Sequence, residues 1–207
     1  MNEVARARPR WETTHERIRE AAANLIRHRG LVAPSVADVM NAVGHTVGGF
    51  YAHWPSRAAL FAEAFADRTR RLWTQLLGTA TQPDPTDRAV WIVRQYLSRA
   101  HRDADIEGCL FPSVLEDVAA HGDPYRASLT QELERFADGL ARTIAPGEAD
   151  ARKRALGLLS LMIGGVALAR ATGTGALSKE ILEASRALAY AALDVKPERP
   201  PTPRTKK

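Results

Sequence analysis

The chain has 207 residues, of which 45% are apolar and 26% charged, with a net charge of +5. This is the make-up of an ordinary soluble globular protein, long enough for a real core in one or two domains. The single cysteine, Cys109, excludes an internal disulfide and fits a reducing cytoplasm.

Charge is unevenly placed along the chain. Residues 1–57 hold 8 basic and 5 acidic side chains, net +3, whereas residues 58–195 hold 16 and 18, net −2. Residues 196–207 hold 5 and 1, net +4. Basic ends around a slightly acidic middle favour a polyanion at the N-terminal end rather than a uniformly adhesive surface.

The start, MNEVARARPRWE, has no apolar run and does not read as a signal peptide. Residues 1–12 carry Arg6, Arg8 and Arg10 without hydrophobic periodicity. They read as a flexible basic arm for phosphate or the minor groove, or as a solvated tail. Thr13 and Glu16 stand at capping-box spacing. Ile18, Ala21, Ala22, Leu25 and Ile26 then form an amphipathic helix, closed by Arg27, His28, Arg29 and Gly30.

Residues Ser35 to Arg57, SVADVMNAVGHTVGGFYAHWPSR, contain two short helical patterns around a glycine turn. Ser35 caps the first, whose stripe is Val36, Val39, Met40 and Val43. Gly44 supplies the left-handed stop. Thr46 is expected to cap the second, in which Val47, Phe50 and Trp54 share a stripe. Helices this short need a neighbour to hold them, and the preceding helix is that neighbour. Phe50 and Trp54 are then buried, while Thr46, Gly48, Gly49, Ala52 and His53 face outward. That face suits duplex DNA: the two glycines let backbone approach the major groove, and Thr46, Tyr51 and His53 bring groups that fix register on phosphates. Val47 offers an apolar contact, as to a thymine methyl.

The run AVGHTVGGFYAHWPSRAAL resembles the signature of the TetR/AcrR family of bacterial transcriptional regulators. The resemblance covers residues 14–62 and is architectural beyond them. It departs from the family in Thr46 for a common Ser, Gly49 for a common Thr, and Arg57 for a frequent Lys. It implies an all-α chain of about nine helices: a three-helix helix-turn-helix domain (13–58) and a helical ligand-binding and dimerisation domain (59–195). The arm (1–12) and a disordered tail (196–207) flank them. DNA-contacting residues are expected at Ser35, Thr46, Val47, Gly48, Gly49, Tyr51, His53 and Arg57.

From Ser56 a long helix runs to about Thr79 and links the domains. Gln82 to Thr86 is a loop, with Thr86 as a candidate cap. Helices follow over 87–102, from the opening Gly108–Pro112 to about 120, and over 125–144, with His101 to Asp105 as a polar connection. The last two, about 148–172 and 178–194, are joined by Gly173-Thr174-Gly175. Their most apolar segment, Ala155 to Ala169, falls short of the about 20 residues of a membrane span and reads as a buried helix. It is apolar nearly all round and needs cover on every side. The resemblance implies a homodimer formed by these two helices, with Leu159, Ile163, Ala167, Ile181, Ser185, Leu188 and Ala192 at the interface. Gly157, Gly164, Gly165 and Ala167 would permit close helix approach.

An apolar pocket for a small effector is expected from the resemblance among Trp73, Leu77, Trp91, Tyr96, Cys109, Phe111, Phe136 and Met162, residues that otherwise simply fill the core. Cys109, near a helix N-terminus, would have a lowered pKa and could react with electrophiles, or be a small buried hydrophobe. No metal-ligand spacing, nucleophile motif or phosphate loop appears, so no catalytic residue, metal or cofactor is expected. The reading is a cytoplasmic, nucleoid-associated regulator: a homodimeric repressor released from a palindromic operator by a small apolar or aromatic effector. The alternatives are a regulator that activates or senses electrophiles through Cys109, and a helical dimeric enzyme or binding module with a vestigial helix-turn-helix.

Overall fold

A computed structural model describes residues 3–104, 108–123 and 125–194, with the backbone alone for residues 3–11; the expected tail at 196–207 lies outside them. The described residues form ten helices and no strand. They are α1 (Glu3–Arg29), α2 (Val36–Ala42), α3 (Val47–Phe50), α4 (Arg57–Gly78), α5 (Pro85–Tyr96), α6 (Arg99–Asp103), α7 (Phe111–His121), α8 (Tyr125–Ile144), α9 (Ala151–Ala171) and α10 (Ala176–Ala192).

Three boundaries differ from expectation, each for a local reason. α1 begins at Glu3, so residues 3–12 of the stretch expected as a flexible arm are helical and Thr13 lies inside the helix instead of at its start. The Ala, Arg and Glu residues around it are good helix formers, and a capping box inside such a run is not needed. α5 is capped by Asp84, whose carboxylate accepts from the amides of Thr86 and Asp87, with Pro85 in the first turn. Proline fits there because its missing N–H is unpaired in any helix start. The helix expected over 87–102 breaks at Leu97, and Ser98 caps α6 by accepting from the His101 amide at 3.0 Å.

α1 to α3 enclose a small core of Ile18, Ala22, Ile26, Val39, Met40 and Phe50, all fully buried. α4 completes it with Leu60 and Phe61 and carries on into the second domain. Between α1 and α4 the fastening is ionic: buried Arg68 pairs with Glu20, which also pairs with Arg71, and Arg19 meets Asp67 at 3.3 Å. Burying Arg68 without that carboxylate would leave an uncompensated charge, so the pair is a registry device as much as a source of stability.

In the second domain α8, α9 and α10 pack in sequence, with α4, α5 and α7 against α8 and α9. α9 has the length and composition of a membrane span, longer than the 15-residue segment read from the sequence, yet only part of it is buried. Its inner face is Leu158, Leu159, Met162, Ile163 and Val166. At Gly165 a side chain would overlap Ser185 of α10, so this glycine sets the α9–α10 approach.

Candidate nucleic-acid interface

Ser35 takes extended backbone (φ −93°, ψ 167°) and closes a reciprocal capping box with Asp38. The Asp38 amide donates to Ser35 Oγ at 3.1 Å, while the Ser35 amide and hydroxyl both donate to Asp38 Oδ2 at 2.7 and 2.6 Å. Ser35 therefore spends its donors on the cap instead of leaving them for phosphate. Gly44 turns the chain at φ +73°, a left-handed conformation in which a side chain would be strained. Arg17 steadies this corner by donating to the Val43 carbonyl at 3.2 Å.

Thr46 has the backbone of an N-cap but its side chain makes no capping hydrogen bond. The hydroxyl stands exposed beside Gly48 and Gly49 instead. α3 is a single turn, shorter than the two turns its stripe suggested, and the chain continues through turns at 51–53. Val47 is 43% and Tyr51 66% exposed, both large side chains held outward by the burial of Phe50 and Trp54 on the opposite side. Thr46, Val47, Gly48, Gly49, Tyr51 and Ala52 thus form one exposed surface.

The anchor of this surface is Glu63 on α4. The Trp54 indole N–H donates to Glu63 Oε2 at 2.7 Å, and Glu63 Oε1 lies 3.2 Å from His15 Nε2. His15 stacks on Trp54 at 3.9 Å, and the half-buried His53 ring lies 5.6 Å from both. Partial burial, then the neighbouring His15 and His45, lowers the His53 pKa, favouring a neutral imidazole. Sequence reasoning missed Glu63, since its partners lie 9 and 48 residues away.

Arg57 is placed otherwise than expected. Its guanidinium donates to the carbonyls of Leu31, Val32 and Pro34 and to the Tyr125 hydroxyl, and covers the Phe61 ring at 4.4 Å. A guanidinium has five N–H donors, and here four hydrogen bonds from it turn inward to join the α1–α2 loop to α4 and α8. Arg57 is a link between domains and not part of the exposed surface.

The expected effector pocket is packed shut at most of its residues. Trp73 stacks on Phe136 at 3.3 Å and on Tyr96 at 5.4 Å, with Phe111 edge-on to Phe65 nearby. Met162 is fully buried and Leu77 packs against Gly139. Of the eight residues only Trp91 lines a cleft, of about 230 Å³, between α4, α5 and α6. Cys109 is buried, with Sγ 2.9 Å from the Tyr96 hydroxyl, and burial pushes its thiol pKa up, the opposite of the expected lowering. The helix-terminus effect is outweighed by loss of water.

On α9 and α10 the expected interface residues divide. Leu159, Ile163 and Ser185 are buried within their own chain and do not belong to an outer face. Leu188 and Ala192 are exposed, and Ala167 and Ile181 are half-buried. With Gly157, Leu161, Gly164 and Leu168 on α9, and Leu177 and Ala184 on α10, they leave an apolar outer surface across both helices. Gly157 and Gly164 have open space where a side chain would stand.

A three-helix domain that turns a bare, polar-edged surface outward, carried on a helical second domain, defines a helix-turn-helix DNA-binding protein. Residues 18–64 match the model of the bacterial regulatory proteins of the tetR family. No curated protein matches the chain. The whole fold is that of solved TetR-family regulators. E. coli NemR in its reduced form is 17% identical with a TM-score of 0.74, covering 86% of this chain and 96% of its own. SCO4454, a TetR-family transcriptional regulator from Streptomyces coelicolor, is 16% identical with a TM-score of 0.71, over 94% and 95%. A TetR transcriptional regulator from Chloroflexus aurantiacus is 24% identical with a TM-score of 0.70, over 88% and 95%. Proteins of this family are DNA-binding transcription factors and not enzymes.

Proposed function

We propose that the chain is a homodimeric repressor that holds a palindromic operator and releases it when a small effector enters the second domain. The observation that carries this reading is the exposed surface of Thr46, Val47, Gly48, Gly49 and Tyr51 on a domain in which, among the described side chains, every large apolar residue but Val47, Val32 and Tyr51 is wholly or partly buried. Thr46 and Tyr51 contact phosphates, the glycines let backbone approach the major groove, and Val47 meets a base edge. Half-buried His53 supports this surface from behind as a neutral donor or acceptor. The protein meets its DNA at the cytoplasmic nucleoid.

Pairing through the apolar outer surface of α9 and α10 sets two recognition surfaces on one side of the dimer. Successive major grooves on one side of the duplex lie about 34–36 Å apart, so the dimer must present its two copies at that spacing. An effector that prefers a dimer of different spacing releases DNA, and tenfold release needs about 1.4 kcal/mol of coupling. Electrophile sensing by Cys109 is disfavoured by its burial and raised pKa.

The test is a gel shift with the DNA flanking the protein's own gene, with and without candidate effectors. Retarded DNA that is released by an effector supports the repressor reading. Failure to bind any flanking palindrome overturns it.

A further inference from the structure

We infer that the cleft between α4, α5 and α6 binds an uncharged, planar aromatic molecule bearing a hydroxyl or similar hydrogen-bonding group, and that Arg27 ties its wall to the DNA-binding domain. The second half of this inference rests on the regulator reading above; the first does not.

The cleft has a volume of about 230 Å³ and opens to solvent. Drug-sized ligands occupy roughly 300–1,000 Å³, so the occupant has one or two fused rings. Leu72, Leu76 and the half-buried Trp91 offer apolar and aromatic surface, with glutamine amides at the rim. Among the described residues no Asp, Glu, Lys or Arg lines it. Aromatic faces prefer another ring, offset or edge-on, which selects a planar guest.

His101 supplies the polar contact. It lines the cleft, and its Nε2 is buried without a hydrogen-bond partner among the described residues. A buried polar nitrogen of this kind gains most from a partner that arrives with a ligand. The ring is held on Tyr96 at 4.4 Å. Burial, and the guanidiniums of Arg170 and Arg27 nearby, push its pKa down to about 3, so the imidazole is neutral in any cell. Those two arginines repel a cation. They are themselves turned to main-chain carbonyls: Arg170 to Arg102 and Cys109 at 3.1 and 2.8 Å, Arg27 to Arg102 and Ala104 at 3.3 and 3.4 Å. An anion would therefore surrender its water for a neutral imidazole, at high cost. An uncharged hydroxyl loses least.

The same carbonyls make the connection to the DNA-binding domain. Ala104 lines the cleft, and its carbonyl oxygen accepts from Arg27 in the last turn of α1. α6 is only five residues long, so a guest that presses on His101 and Ala104 moves the oxygens that hold α1. This route is separate from the continuous helix α4.

The experiment is calorimetric titration of the full chain with 2-naphthol, 2-naphthoate and 2-naphthylmethylammonium. The expected result is saturable binding of 2-naphthol, at least tenfold tighter than either ion, and weakened at least tenfold in His101→Leu and in Trp91→Ala. Trp91 is half-buried, so its variant stays folded if the other does not; helicity by circular dichroism confirms it. Absence of saturable 2-naphthol binding, equal affinity for an ion, or unchanged affinity in a folded variant overturns the site. For the connection, Arg27→Met should keep 2-naphthol affinity and lose the effect of 2-naphthol on DNA affinity. A DNA response equal to wild type, or no response in wild type, overturns it. Calorimetry needs no DNA, so a chain that binds 2-naphthol but no operator refutes the regulator reading and leaves the site standing.

Discussion

The amide N–H of Leu31, in the loop after α1, donates to Asp117 Oδ2 on α7 at 2.6 Å. The Val32 amide donates to the same oxygen at 3.4 Å, so one carboxylate ties the DNA-binding domain to the second domain. With Arg57 on the neighbouring carbonyls, the α1–α2 loop has its donors held by α7 and its acceptors by the first residue of α4. Asp117→Ala strands the amide of buried Leu31, which should cost about 1–3 kcal/mol. Urea unfolding followed by circular dichroism checks this, with Asp117→Asn, which keeps an acceptor, close to wild type. An alanine variant as stable as wild type would contradict the link.

Glu63 positions the recognition turn through Trp54. In Glu63→Leu the indole N–H of a residue only 3% exposed loses its acceptor, and a loss of roughly 1–3 kcal/mol follows. Thermal unfolding of the variant should show the lower midpoint, and DNA affinity should fall with it because α3 is no longer held. Glu63→Gln should recover part of both.

Leu168 and Leu188 are 59% and 62% exposed on the outer surface of α9 and α10. If two chains meet there, Leu168→Glu with Leu188→Glu places four carboxylates in an apolar contact, where unpaired charge is expensive. Sedimentation equilibrium should then show monomers at concentrations where the native chain is dimeric, with helicity retained. A variant that stays dimeric moves the interface elsewhere.

His101 makes stability fall with acidity. Its folded pKa of about 3 lies below the ordinary value of 6.5, so on acidification the unfolded chain takes up a proton that the folded chain refuses. The stability present above pH 6.5 is lost as pH drops toward 3, with a slope of up to about 1.4 kcal/mol per pH unit from this one group. In His101→Leu the slope of urea-derived stability against pH between 6 and 4 should be shallower. An identical slope would place the acid sensitivity on other groups.

Local chemistry made much of this fold legible. The Ser35–Asp38 box, Gly44 and the stripe ending in Phe50 and Trp54 concern residues within a turn or two of each other, where spacing alone determines which side chains meet. What could not be read depends on distant partners. Arg57 looks like a basic residue beside a recognition helix until the Leu31 carbonyl and the Tyr125 hydroxyl are brought to it. Asp117 shows nothing in sequence of the amide 86 residues away that it holds. α9 poses a different problem, because it is apolar on all sides. Periodicity cannot separate buried Leu159 and Ile163 from exposed Leu168, and only the packing of α8 and α10 decides. The aromatic residues were legible as core, but whether they line a cavity or fill it turns on the stacking of Trp73 with Phe136.

Tyr51 and Thr46 bear the proposed contact with DNA, and neither supports the core: Tyr51 is 66% exposed and Thr46 caps nothing. Fluorescence anisotropy of a labelled duplex from the gene's own upstream region, titrated with native chain, Tyr51→Ala and Thr46→Ala, tests this most directly. Each substitution should weaken binding by about tenfold, ~1.4 kcal/mol, with dimer and unfolding midpoint unchanged. Native affinity in both variants would show that this surface is not where the protein meets DNA.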